Sequence, residues 1–168
     1  VHNTLVGIGM REHVKLGASG KIISSFDVAR TLALGADWCN SARGFMFALG
    51  CIQAQTCHTG NCPTGVTTQD PLRQMALVVP SKAERVNNFH QNTLESFKEL
   101  LQAAGLSAPE QLKAHHFSHR ISQTETQTLA QMYPALSPGA LLKDSVAKLP
   151  EPFKTYWGKA SAESFHWQ

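Results

Sequence analysis

Three of the chain's four cysteines, Cys51, Cys57 and Cys62, share one short segment with the spacing Cys-x5-Cys-x4-Cys, and Pro63 comes directly after the last. The fourth, Cys39, lies just upstream, and the rest of the chain has none. A secreted disulfide scaffold spreads its cysteines to staple distant segments, so this cluster reads as a local site in a reducing compartment. The fold must therefore anchor both ends of a loop that gathers three thiols. Thiolates suit iron–sulfur centres and zinc. The spacing matches neither the ferredoxin run nor the paired Cys-x2-Cys of a zinc ribbon. Three readings stay open on spacing alone: free thiols, a zinc site completed by His58, or an iron–sulfur site. Cys39 falls on an expected strand and reads as a small core residue rather than a fourth ligand.

Upstream of that loop the pattern is strand, glycine turn, helix, twice over. A strand is expected over 13–18, then Ser19-Gly20, then a helix over 26–34 with Ser24-Ser25 as caps and Gly35 as terminator. A second strand is expected over 36–41, then the turn Ala42-Arg43-Gly44 and an apolar segment over 45–50. Two such units in succession imply a parallel sheet with right-handed crossovers. Downstream the reading is helical. Ser81-Lys82-Ala83-Glu84, Ser107-Ala108-Pro109-Glu110 and Ser122-Gln123-Thr124-Glu125 each match a capping box. The first would open a helix with the apolar stripe Val86, Phe89, Leu94, Phe97, Leu100, Leu101 and Ala104, closed by Gly105. The third would open a helix ending near Tyr133-Pro134, and the tail beyond Ser137 is proline-rich with a short helix near 153–161. Residues 72–80 fit a helix or an extended stretch equally.

With 168 residues, 42% hydrophobic and 16% charged, the chain suits a globular domain with a real core. No apolar run approaches the ~18 residues of a membrane span. The net charge of +3 is scattered among interleaved acids and bases, with no basic stripe, which argues against nucleic acid as a partner. The two glycine turns are different. A backbone turn leading into a helix N-terminus binds phosphate well. Ser19-Gly20-Lys21 and Ala42-Arg43-Gly44 offer two such turns in succession, with Lys21 and Arg43 available to neutralise charge.

With those residues in view, the sequence resembles the flavin-binding domain of glutamate synthase, and the FMN-binding glutamate synthase-like proteins of bacteria. The stretch KLGASGKIISSFDVARTLALGADWCNSARGFMFALGCIQAQTCHTGNCPTGVTTQDP carries the resemblance most specifically. PSKAERVNNFHQNTLESFKELLQAAGL carries it less strictly. The resemblance implies an α/β chain forming the C-terminal portion of a (β/α)8 TIM barrel, about strands 7 and 8. Residues 1–71 would be barrel and cysteine loop, and 72–168 a mainly helical extension. It implies FMN, with its phosphate at Ser19, Gly20, Lys21, Ala42 and Arg43. It also implies an iron–sulfur cluster, 3Fe-4S rather than 4Fe-4S, on Cys51, Cys57 and Cys62. The family has a glycine pair where this chain has Gly20-Lys21, and Gly-Thr where it has Ala42-Arg43.

The implied activity is reduction of the 2-iminoglutarate formed from 2-oxoglutarate and ammonia, giving glutamate in the cytoplasm. Electrons would come from a donor protein or subunit. No residue stands out as the catalytic acid; Lys21 is the nearest. A whole barrel takes ~250 residues, and the chain begins with Val1, so the expectation is a C-terminal third that is inactive alone. Its cut strand edges would then drive self-association. The rival expectation is a non-catalytic helical interaction module whose cysteines bind zinc or stay free.

Overall fold

A computed structural model describes residues 1–164; residues 165–168, the end of the expected extension, lie outside the described residues. In chain order the elements are α1 (His2–Gly7), β1 (Gly17–Ser19), α2 (Ser25–Ala33), β2 (Trp38–Asn40), α3 (Ala42–Leu49) and α4 (Pro71–Gln74). After them come α5 (Val79–Ala103), β3 (Ser118–Arg120), β4 (Thr126–Thr128), α6 (Leu129–Met132), α7 (Ala140–Lys143) and α8 (Phe153–Tyr156). The chain is mixed α/β and divides into two compact units. One comprises 17–33 and 37–112; the other comprises 1–16, 34–36 and, among the described residues, 113–164.

The unit that contains the cysteines is built on β1 and β2. They pair in parallel, Gly17 with Trp38, Ala18 with Cys39 and Ser19 with Asn40, as the repeated strand–turn–helix pattern predicts. A Cβ on Gly17 would stand 2.6 Å from the Trp38 ring, so only glycine lets the indole lie across β1. The strand expected over 13–18 is shorter, because Arg11–His13 forms a 3-10 turn and pairing begins only at Gly17. Helix α2 starts where Ser24 and Asp27 cap each other. Asp27 Oδ2 accepts from the Ser24 N–H (3.0 Å), the Ser24 hydroxyl (2.9 Å) and the Ile23 N–H (3.2 Å). The Ser24 N–H is the main reason that the Asp27 carboxyl titrates below its ordinary range.

The second predicted glycine turn is instead the first turn of α3. Gly44 is there for packing: a Cβ would meet Phe89 Cζ at 2.7 Å. Phe89 in turn stacks edge-on against Phe45, with centroids 5.2 Å apart. Helix α5 packs on both α2 and α3. It begins at Val79, two residues before the predicted box, with Val78 as an N-cap that offers no side-chain bond. Pro80 in the first turn costs no internal bond there. Its inward stripe runs through Val86, Phe89, Thr93, Phe97 and Leu101. Leu94 faces solvent instead, and Thr93 turns its hydroxyl back to the Phe89 carbonyl at 2.7 Å.

The other unit holds a small core of Leu136, Ala140, Leu141 and Leu149, against which Ile8, Phe153 and Trp157 pack. Gly7 lets α1 approach closely, since a Cβ would stand 2.5 Å from Leu141. The third predicted capping box is not a helix start. Ser122–Glu125 is the turn of an antiparallel hairpin, β3 with β4. The Ser122 hydroxyl accepts from the N–H groups of Thr124 (3.3 Å) and Glu125 (3.1 Å), which closes a turn rather than a helix. Helix α6 is capped one step later by Thr128 and Gln131. The second predicted box closes a 3-10 turn at Pro109–Gln111, with Gln111 accepting from the Ser107 and Ala108 N–H groups.

Large apolar side chains remain exposed on the cysteine-bearing unit, among them Ile52 (66%), Leu72 (79%), Met75 (74%) and Val79 (69%). Exposed apolar side chains of this size favour association in water. The chain on its own is expected to run larger than a monomer in light scattering, with mass rising with concentration. A concentration-independent monomer that binds no apolar dye would contradict this.

Candidate active site: two adjoining cavities

The parallel register puts the ends of β1 and β2 side by side, and the loops at those ends line one cavity of about 410 Å³. That volume lies in the range of small-molecule sites. Ser19, Gly20 and Lys21 come from the first loop, and Ala42 and Arg43 from the first turn of α3. The two loops are tied by the Ser41 hydroxyl, which donates to the Ile22 carbonyl at 2.9 Å. Ser41 is therefore spent on that tie and does not cap α3, whose N-terminus has no side-chain cap. Gly20 sits at φ +124 and Lys21 at φ +54, both in the left-handed region. All five residues expected at a phosphate thus line one cavity.

The thiols are arranged around a second, smaller cavity of about 20 Å³, lined by Cys51, Cys57 and Cys62 together. Cys51 and Cys57 line the larger cavity as well. Among the described residues no three His, Cys, Asp or Glu side chains stand close enough to hold a metal ion as placed. The thiols share one cavity without meeting at a point. His58 lines neither cavity, and neither does Cys39, which is half-buried with its thiol pushed up by burial.

The loop beyond Cys62 is held by backbone contacts. Arg73 reaches the carbonyls of Asn61 (3.3 Å) and Cys62 (3.5 Å), and Gln74 donates to the Thr68 carbonyl at 2.8 Å. Asp70 caps α4 by accepting from the Leu72 N–H at 2.9 Å. Gly65 sits at φ +74 with the Arg73 carbonyl where a Cβ would be, 2.1 Å away. Here Cys62 is buried, with its sulfur 3.5 Å from the Thr64 hydroxyl. That hydroxyl, with the N–H groups of Thr67 and Thr64, lowers the Cys62 thiol to about 6. The buried Thr67 hydroxyl, without a full hydrogen-bond partner of its own, adds the smallest contribution. A thiol so disposed is a thiolate at neutral pH, the form that binds soft metals.

Sequence reasoning missed several of these residues. Gln53 and Gln55 line the larger cavity from left-handed backbone, at φ +59 and +57. Nothing in the sequence signals that conformation at glutamine. Thr64 and Thr67 were legible in principle, since short hydroxyl side chains come soon after the last cysteine. Arg73 carried no signal, because its partners are backbone carbonyls.

Residues 1–107 match the family described as the conserved region in glutamate synthase, and the chain belongs to that family. It is 43% identical over 120 residues to the "Glutamate synthase large subunit-like protein YerD" of Bacillus subtilis. That match covers 71% of this chain and 23% of the relative. It is 38% identical over 107 residues to the "Archaeal glutamate synthase [NADPH]" of Methanocaldococcus jannaschii, covering 64% of this chain and 21% of the relative. It is also 36% identical over 113 residues to a "Ferredoxin-dependent glutamate synthase" of Antithamnion sp., covering 67% and 7%. The chain thus spans under a quarter of the length of these curated relatives.

The geometry of the loop can be tested in two ways. Gly65→Ala places a Cβ on a backbone carbonyl and is expected to cost about 2 kcal/mol or more in chemical denaturation. A loss under about 0.5 kcal/mol would mean that the loop is not held this way. The lowered Cys62 thiol also has a sign. Between pH 6 and 9.0, its ordinary value, the folded chain has released a proton that the unfolded chain keeps. Stability in metal-free buffer therefore rises with pH across that window and is lost as pH falls through about 6. In Cys62→Ser this rise shrinks; an unchanged pH profile would contradict the assignment.

Proposed function

We propose that this chain is the part of a glutamate synthase-like oxidoreductase that holds the phosphate end of FMN and an iron–sulfur centre. In this reading β1 and β2 are about strands 7 and 8 of a (β/α)8 barrel. The other strands, the rest of the flavin pocket and most of the 2-oxoglutarate site lie on further polypeptide. Residues 72–168 form a mainly helical extension. The enzyme would work in the cytoplasm, with a protein or subunit as electron donor. What supports the reading is that Cys51 and Cys57 line both cavities at once. A centre gripped by the thiols would adjoin a ligand seated on the phosphate loops.

The residues fit those groups by their chemistry. Ser19, Gly20, Lys21, Ala42 and Arg43 combine open backbone, a helix N-terminus and two cations around one cavity, as a phosphate requires. Cys51, Cys57 and Cys62 give three thiol donors on one cavity, in favour of a 3Fe-4S cluster. When bound, flavin and cluster supply the electrons and hydride that turn 2-oxoglutarate and ammonia into glutamate. The protein's part is to orient the flavin by its tail, and to hold the centre against the flavin cavity. No helix among the described residues is long and apolar enough to cross a membrane.

Oxygen-free preparation with iron and sulfide is expected to give a brown protein carrying both. Cys57→Ser should lose most of the iron and keep its helical circular dichroism, since α5 does not depend on that thiol. Colourless protein with stoichiometric zinc, or iron unchanged in Cys57→Ser, would refute the assignment and favour a non-catalytic module.

A further inference from the structure

Among the described residues, no charged side chain lines the small cavity shared by Cys51, Cys57 and Cys62. Three threonine hydroxyls stand near it, from Thr56, Thr64 and Thr67. That of Thr56 is spent on the Asn61 carbonyl at 3.3 Å. The other two are turned to the thiols. Thr64 Oγ1 lies 3.5 Å from the Cys62 sulfur. Thr67 Oγ1 is shut off from solvent without a full hydrogen-bond partner. A hydroxyl taken out of water without an acceptor is costly, and a charged sulfur is an acceptor only.

The loop fixes both threonines where they are. The Cys62 carbonyl accepts from the Gly65 N–H at 3.3 Å, and Gly65, at φ +74, folds the chain back after Thr64. The Thr68 hydroxyl donates to the Gly60 carbonyl, which ties the chain beside Thr67 to the residues just before Cys62. The backbone N–H groups of Thr64 and Thr67 reach Cys62 as well.

We propose that Thr64 and Thr67 are positioning residues whose hydroxyls donate to the sulfur of an iron–sulfur centre on the three thiols and raise its reduction potential. The inference rests on the iron–sulfur reading and adds to it what sets the potential. On reduction one electron arrives from the donor and no proton moves, so the sulfur carries more negative charge. Fixed hydroxyl donors stabilise that state more than the oxidised one. Loss of one donor shifts the balance of reduced over oxidised centre about tenfold, or about 59 mV for one electron.

The test is a potentiometric titration, followed by electron paramagnetic resonance, of this chain reconstituted with iron and sulfide without oxygen. Wild type is compared with Thr64→Val, Thr67→Val and the double variant, and with Thr64→Ser and Thr67→Ser. Valine keeps the outline of threonine without the hydroxyl; serine keeps the hydroxyl. Iron content and circular dichroism are measured for each. The expected result is wild-type iron throughout, a midpoint about 59 mV lower in each valine variant and lower still in the double, and the wild-type midpoint with serine. A double valine variant with full iron and the wild-type midpoint overturns the inference while the iron–sulfur reading stands. So does a serine variant whose midpoint falls as far as that of valine. Where valine costs the iron itself, serine decides: iron and midpoint restored support the hydroxyl, and iron still absent overturns it. Wild type that takes up no iron–sulfur centre overturns the reading and the inference together.

Discussion

The parallel pairing of β1 with β2 is the constraint on which the site depends. Three register pairs, Gly17–Trp38, Ala18–Cys39 and Ser19–Asn40, end both strands at the same level. The loops leaving the two strands must then emerge side by side. That is why Lys21 and Arg43, far apart in sequence, line one cavity, and why α3 carries Cys51 to its edge. The pairing needs glycine at position 17, beneath the Trp38 ring, and the loops need the Ser41 tie. The long helix α5 then backs α2 and α3 through Phe89 and its neighbours, with Gly44 giving room for the ring.

Around that frame the end of the cysteine loop is held by the Arg73 and Gln74 side chains, which donate to its backbone carbonyls. Gly50 and Gly65, both at positive φ, bracket the loop, and Arg73 grips its last carbonyls. A hydroxyl and two backbone N–H groups acidify Cys62 at the same point. The three thiols thus share one cavity, and the donors around Cys62 favour its charged sulfur.

Much of this was legible from local pattern. The two strand–helix units, the cap at Ser24 and the terminator Gly105 all arise from short-range signals that the structure keeps. What local pattern could not show was set by longer range. Gly44 reads as a turn residue but serves Phe89, far along the chain on α5. Ser122 to Glu125 satisfies a capping-box pattern, yet the Ser122 hydroxyl closes a hairpin because Thr126 onward finds a strand partner in β3. Leu94 suits the apolar period of α5, but it is exposed while Thr93 beside it is half-buried. In the site the types of residue were readable, while the left-handed Gln53 and Gln55 and the contact to Thr64 depended on how the loop folds.

The proposed iron–sulfur site is tested most sharply by X-ray absorption at the iron edge, on protein reconstituted with iron and sulfide without oxygen. Iron surrounded by sulfur alone is expected, with neighbouring iron visible beyond it, and that signal should vanish when Cys51, Cys57 and Cys62 are replaced together. Iron bound through nitrogen and oxygen, or a signal indifferent to those three sulfurs, would show that the cysteine loop does not hold the centre.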